Sequence, residues 1–125
     1  MRVPRAFVEE ARGRCNPDEE CAALLFGVGD AARRWAWMDN AARSPVEFRL
    51  DPEHVYRAIA DAEQLGLELV AIFHTHPGAP VPSPLDLRHM AMWPVVWIIG
   101  DVRTMELRAW RLERGVLQEV DIYIP

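Results

Sequence analysis

Three residues set the chemical question: His74 and His76, two apart at the end of the apolar run Leu69 to Phe73, and Asp86, ten positions further on. If that run is a strand, the period-2 pleat turns both imidazoles to one face, and two nitrogen donors converge on one point. Two histidines and one carboxylate form the ligand set of a catalytic zinc site, one ion per chain, with a fourth position open for water. Zinc held in this way brings the pKa of its water towards neutrality, but a nearby base must still take the proton and hand it to a leaving amine. Glu20, at the mouth of a different apolar run, is the candidate base.

Each of these residues also has a purely structural explanation. Histidines before a Pro-Gly turn can be satisfied polar groups at a strand end. Ser83 and Asp86 spell S-x-x-D, the pattern of a capping box opening a helix. The two roles are compatible, because Ser83 can cap the backbone and still aim its hydroxyl into a site, while a carboxylate at a helix start can ligate metal with its other oxygen. Glu20 closes the acidic cluster Asp18, Glu19, Glu20, which taken alone reads as a solvated face.

The elements that must hold these groups follow from pattern and punctuation. Pro4 to Arg12 reads as a short helix with Phe7, Val8 and Ala11 on one side, closed by Gly13. Glu20 to Val28 is too short for a core helix, ends in Gly27 and Gly29, and reads as a buried strand. Arg33 to Asp39 alternates and should form a hairpin with it, and Val46 to Leu50 reads as a third strand. A helix follows, with Asp51 as N-cap, Pro52 at the first helical position and Glu53 in the first turn. Its apolar positions Val55, Ala58, Ile59, Ala62 and Leu65 recur at helical spacing up to a glycine stop at Gly66. Leu69 to Phe73 is then a central strand, Ser83 to Met92 a short helix, and Val95 to Ile99, Met105 to Arg111 and Val116 to Ile124 three more strands. The order αβββαβαβββ implies an α/β fold, a mixed β-sheet flanked by helices.

Composition bounds the rest. A chain of 125 residues without repeats or linkers reads as one domain spanning 1–125, large enough to bury a cooperative core. The net charge is -5 and every basic side chain is arginine, with no lysine and no basic run, which argues against a nucleic-acid partner. Hydrophobic residues make up 50% of the chain but never run for the roughly 20 positions a membrane span needs, and the N-terminal residues do not form a signal peptide. A soluble, cytoplasmic protein is expected. Cys15 and Cys21 match no redox or structural zinc spacing and read as two reduced thiols, Cys21 buried. His54 and His89 read as surface or capping groups, with His89 able to approach the rim of the site. Trp35, Trp37, Trp93, Trp97 and Trp110, together with Met90 and Met92, read as core and sheet-face residues. The apolar strand edges leave room for a homodimer.

Taken together, an acidic residue opening an apolar strand, then H-x-H-P at His74 to Pro77, then S-x-x-D at Ser83 to Asp86, resemble the JAMM (MPN-plus) metallopeptidase family. The likeness extends over nearly the whole chain: ECAALLFG is similar to that family's E-x-C-G-L-L-x-G strand, and SPVEFRLDPEHVYRA and LELVAIFHTHPGAPVPS are similar to its prokaryotic members. Counting back seven from Gly27 sets Glu20 on the family's glutamate. The resemblance implies a cytidine-deaminase-like α-β-α arrangement, zinc ligation by His74, His76 and Asp86, Glu20 as general base and then acid, and Ser83 as the donor that stabilises the oxyanion. It also implies hydrolysis of amide bonds after the C-terminal glycines of a ubiquitin-like or sulfur-carrier protein with a Gly-Gly tail. The competing readings are a non-catalytic MPN-type binding module and a zinc amidase acting on small-molecule or cell-wall amides. The chain departs from the family pattern in a loop between His76 and Asp86 one residue shorter than expected, in Ala23 where glycine is common, and in Thr75 where serine is frequent.

Overall fold

The computed structural model describes residues 1–40, 42 and 49–125. Their elements run α1 (Arg5–Arg14), β1 (Ala22–Val28), β2 (Ala31–Met38), α2 (Pro52–Glu63), β3 (Glu68–His76), α3 (Pro84–Met92), β4 (Val96–Asp101), β5 (Leu107–Glu113) and β6 (Val116–Val120). The strands form a mixed sheet in the order β2-β1-β3-β4-β5-β6, all neighbours antiparallel except the β3–β4 pair. That one parallel step is the reason α3 exists where it does: parallel neighbours need a crossover, and here it carries Ser83 and Asp86 across one end of the sheet. No helix among the described residues is long and apolar enough to cross a membrane.

The pleat divides the core in two. Ala23, Leu25, Ala71, Phe73 and Ile98 pack with Phe7, Val8 and Ala11 of α1 on one face. Ala22, Leu24, Ile72, Trp97 and Ile99 pack with Val55 and Ala62 of α2 and Met90 of α3 on the other. The result is the helix-sheet-helix sandwich expected from the element order. His74 and His76 continue the Ile72 side of β3 and therefore face α3.

Local signals formed what they promised at most positions. Asp51 caps α2, its side chain accepting from the Glu53 amide at 3.0 Å. The stop at Gly66 is a Schellman turn, with Leu67 N donating to Ala62 O and Gly66 N to Glu63 O, and Gly66 takes the positive φ of 74° that this turn asks of its residue. Gly27 has a different reason: at the β1–β2 hairpin a Cβ there would collide with the Ala31 carbonyl. The two chain ends close over the start of β2, where Arg2 bridges both Ala31 and Tyr123.

Several expectations need correction. α1 runs through Gly13 to Arg14, because Cys15 N still bonds to Ala11 O. The expected strand Val46 to Leu50 lies outside the described residues apart from Arg49 and Leu50, which are not in a strand. β5 starts at Leu107 rather than Met105, whose φ of 57° breaks the extended chain, and β6 ends at Val120. Met90 is buried but Met92 is 73% exposed, since residues two apart on a helix point to nearly opposite sides. Leu65 falls beyond α2 and is exposed for a similar reason, having left the helical period. The cysteines are not free: Cys15 and Cys21 form a disulfide, their Cα atoms 5.4 Å apart because the end of α1 abuts the entry to β1. Cys21 is half-buried, not buried.

Candidate active site

β3 delivers the two histidines and α3 the carboxylate. His74 Nε2 lies 3.1 Å from Asp86 Oδ1, His76 Nε2 lies 2.9 Å from Asp86 Oδ2, and the two Nε2 atoms are 3.1 Å apart. His74 and Asp86 are buried and His76 is half-buried. Asp86 reaches this position as the third residue of α3. Ser83 caps that helix, its hydroxyl oxygen accepting from the Asp86 amide at 3.1 Å while Asp86 Oδ2 accepts from Ser83 N at 2.9 Å. The capping box and the candidate ligand set are thus one arrangement: the cap fixes the carboxylate that faces the histidines.

Burial and mutual charge set the protonation of this cluster. Burial, the largest influence on His74, drives its pKa down despite the nearby carboxylate. On His76 burial also works downward, but the hydrogen bond and charge of Asp86 and the charge of Glu20 outweigh it, and the pKa rises. Burial would raise Asp86, yet the hydrogen bonds from His74 and His76 hold it well below the usual carboxylate range. Two imidazole nitrogens gathered around a carboxylate that stays ionised are suited to a cation, and this trio can hold a metal ion. Taking one donor atom from each residue, the three lie within 4.8 Å of one another, near enough to share one ion. Two imidazoles and a carboxylate are also the donor types zinc prefers in an open, catalytic site.

Glu20 comes near this cluster at the entry to β1. β1 pairs with β3 so that Ala22 opposes His74, and the next pair outward, Cys21 with Thr75, is still bonded, Thr75 N to Cys21 O at 3.0 Å. Glu20 is the next residue of the chain, and it lies near enough to His76 for its charge to raise that residue's pKa. Glu20 is only 5% exposed, unlike its neighbours Asp18 and Glu19, so the acidic cluster is not one solvated face.

Sequence reasoning missed two contributors. Thr75 stood out only as a substitution for serine, yet its Oγ1 accepts from Cys21 N at 2.9 Å. Trp97 packs edge-on against His74, ring centroids 5.8 Å apart, with His89 stacked on the same indole at 6.4 Å, so His89 sits behind the site and not among its candidate ligands. The spacing of Trp97 from the histidines carried no signal, because the contact exists only through the β3–β4 pairing. His54 lines a separate groove between α2 and β2. The short loop after His76 is anchored by Trp110, whose Nε1 donates to Pro80 O at 3.0 Å.

A profile of prokaryotic homologs of the JAB domain matches residues 2–113. The chain belongs to this family. Among curated relatives it is 40% identical over 107 residues to a desampylase of Pyrococcus furiosus, covering 84% of this chain and 76% of the relative. It is 34% identical over 126 residues to a probable TtuB-protein conjugate cleaving protease of Thermus thermophilus, covering 98% and 81%, and 34% identical over 128 residues to a CysO-cysteine peptidase of Mycobacterium tuberculosis, covering 95% and 84%. A protein from Desulfitobacterium hafniense shares the fold with a TM-score of 0.84 at 23% identity, covering all of this chain and 93% of the other. A JAB1/MPN domain protein from Archaeoglobus fulgidus does so with a TM-score of 0.60 at 19% identity, covering 99% and 98%.

Proposed function

We propose that this JAB-family chain is a zinc-dependent isopeptidase that hydrolyses the amide bond following the C-terminal glycines of a ubiquitin-like sulfur carrier. The observation that carries the reading is the convergence of His74, His76 and Asp86 within hydrogen-bond distance of one another, and it is supported by the charge of Glu20 acting on His76. Relatives described as a desampylase, a TtuB-protein conjugate cleaving protease and a CysO-cysteine peptidase support a small protein carrier as the substrate.

His74, His76 and Asp86 would hold the zinc, which supplies a Lewis acid and brings the pKa of a coordinated water towards neutrality. The Glu20 carboxylate accepts the proton of the attacking water and passes it to the leaving amine nitrogen, acting first as base and then as acid. Its burial removes competing solvent from that transfer. Ser83 spends only its oxygen lone pair on the Asp86 amide, so its hydroxyl proton remains to donate to the carbonyl oxygen as negative charge develops there. Trp97 closes the back of His74 against water and fixes its ring.

The experiment is incubation of the zinc-loaded protein with a panel of ubiquitin-like carriers extended past Gly-Gly, with cleavage read by intact mass. Release of the extension at the Gly-Gly junction is the expected result. Failure on every member demotes the carrier in favour of small amides, and purified protein free of zinc, with Asp86→Ala changing neither metal content nor melting temperature, overturns the hydrolase reading itself.

A further inference from the structure

The residue after the proposed base is held from two sides. Cys21 N–H donates to the Thr75 hydroxyl at 2.9 Å, while Thr75 N–H donates to Cys21 O at 3.0 Å. In a regular antiparallel pair the Cys21 amide would bond to the Thr75 carbonyl. Here the side chain takes over that last rung, at the point where the ladder ends and Glu20 begins. From the other side, the Cys15–Cys21 disulfide ties Cys21 to the end of α1. That end is itself fixed, because Cys15 N bonds to Ala11 O and Phe7, Val8 and Ala11 are buried in the core. Residues Asn16 to Glu19, which precede Glu20, are all exposed. Both cysteines are half-buried, and both line, with Glu20 and Asn40, one cavity of about 200 Å³ at the protein surface.

We propose that the Thr75 hydroxyl and the Cys15–Cys21 disulfide are positioning elements for Glu20, so that reducing this disulfide slows hydrolysis while leaving the metal site intact. The proposal rests on Glu20 being the base. A cellular dithiol would supply two electrons and two protons, forming its own disulfide as Cys15 and Cys21 become thiols. The metal trio stands on β3 and α3; Cys21 meets β3 at Thr75, whose side chain alternates to the opposite face of the strand from His74 and His76, so loosening residues 15–21 alters the placement of the base more than the ligand set. A displacement of about 1 Å in a reacting group costs up to roughly a hundredfold in rate.

The test compares oxidised protein with protein reduced by a phosphine, which takes up the oxygen of water as each cysteine gains a proton. Zinc content, kcat, KM and amide exchange over residues 15–21 are measured in each. Reduction is expected to lower kcat by about 10- to 100-fold with little change in KM or zinc, and to speed exchange at Cys21. The double variant Cys15→Ser, Cys21→Ser should match the reduced protein and ignore the phosphine. Thr75→Val should lower kcat with zinc retained, and Thr75→Ser should restore it. Full kcat after reduction, loss of zinc in step with kcat, or equal impairment in Thr75→Val and Thr75→Ser would each overturn the proposal. If the oxidised protein cleaves no carrier, the functional reading fails separately, and exchange still decides the clamp: unchanged protection at Cys21 on reduction and in Thr75→Val refutes it, and faster exchange in both supports it.

Discussion

Ser83 offers the most discriminating prediction, because its structural task as a cap and the oxyanion role proposed for it differ in size. As N-cap of α3 its oxygen accepts from the Asp86 amide at 3.1 Å. Ser83→Ala removes that acceptor, a loss of about 1 kcal/mol for a cap of this kind. With 125 residues each contributing about 2.1 cal/mol/K to the unfolding entropy, that is a fall in Tm of about 4 °C. A protein with roughly 5–15 kcal/mol of stability stays almost entirely folded at 25 °C after such a change. Loss of an oxyanion donor, by contrast, lowers kcat by about 100- to 1000-fold. Ser83→Gly separates the tasks: glycine caps a helix within a few tenths of a kcal/mol of serine, so Tm should move by about 1 °C while kcat falls as far as in the alanine variant. Zinc should remain in both variants, because the Ser83 backbone N–H that supports Asp86 Oδ2 is untouched. Carrier cleavage by the zinc-loaded variants, with metal content and calorimetric Tm measured on the same samples, provides the assay. A Ser83→Gly protein with near-normal kcat, or zinc loss proportional to activity loss in either variant, would refute the assignment of the hydroxyl.

Other outcomes follow from the same geometry. Glu20→Gln should retain zinc and lose about 100- to 10,000-fold in turnover, whereas His76→Ala should lose both; equal zinc loss in the two by metal analysis would contradict the separate roles. In metal-free protein the hydrogen bonds from His74 and His76 hold Asp86 below its usual 3.8, so its contribution to stability is present above that pH and is lost as pH falls through the depressed value. Acid unfolding followed by circular dichroism should accordingly be less steep in Asp86→Asn, and identical curves would exclude this linkage. Gly27→Ala should lower stability by about 1–3 kcal/mol as the hairpin shifts to relieve its contact with the Ala31 carbonyl, and an unchanged denaturant midpoint would show that the turn adapts freely.

Much of the site could be read from the chain because its parts depend on short-range geometry. His74 and His76 share a face through the strand period, and Ser83 and Asp86 meet through the first turn of a helix; neither relation needs the rest of the molecule. The caps of α2 at Asp51 and Gly66 are legible for the same reason. What only tertiary structure decided are the contacts between elements distant in sequence. Burial of Glu20 amid an acidic run comes with its place at the entry to β1, where its charge acts on His76. The disulfide depends on how closely the end of α1 approaches the entry to β1, a distance the six-residue spacing of Cys15 and Cys21 does not determine. The bond from the Cys21 amide to the Thr75 hydroxyl spans 54 positions, and the packing of Trp97 on His74 requires the parallel β3–β4 pair. Side-chain periodicity is a property of each backbone segment alone, whereas register and docking are collective results of core packing, and it is these that bring Glu20, at the entry to β1, near the histidines of β3.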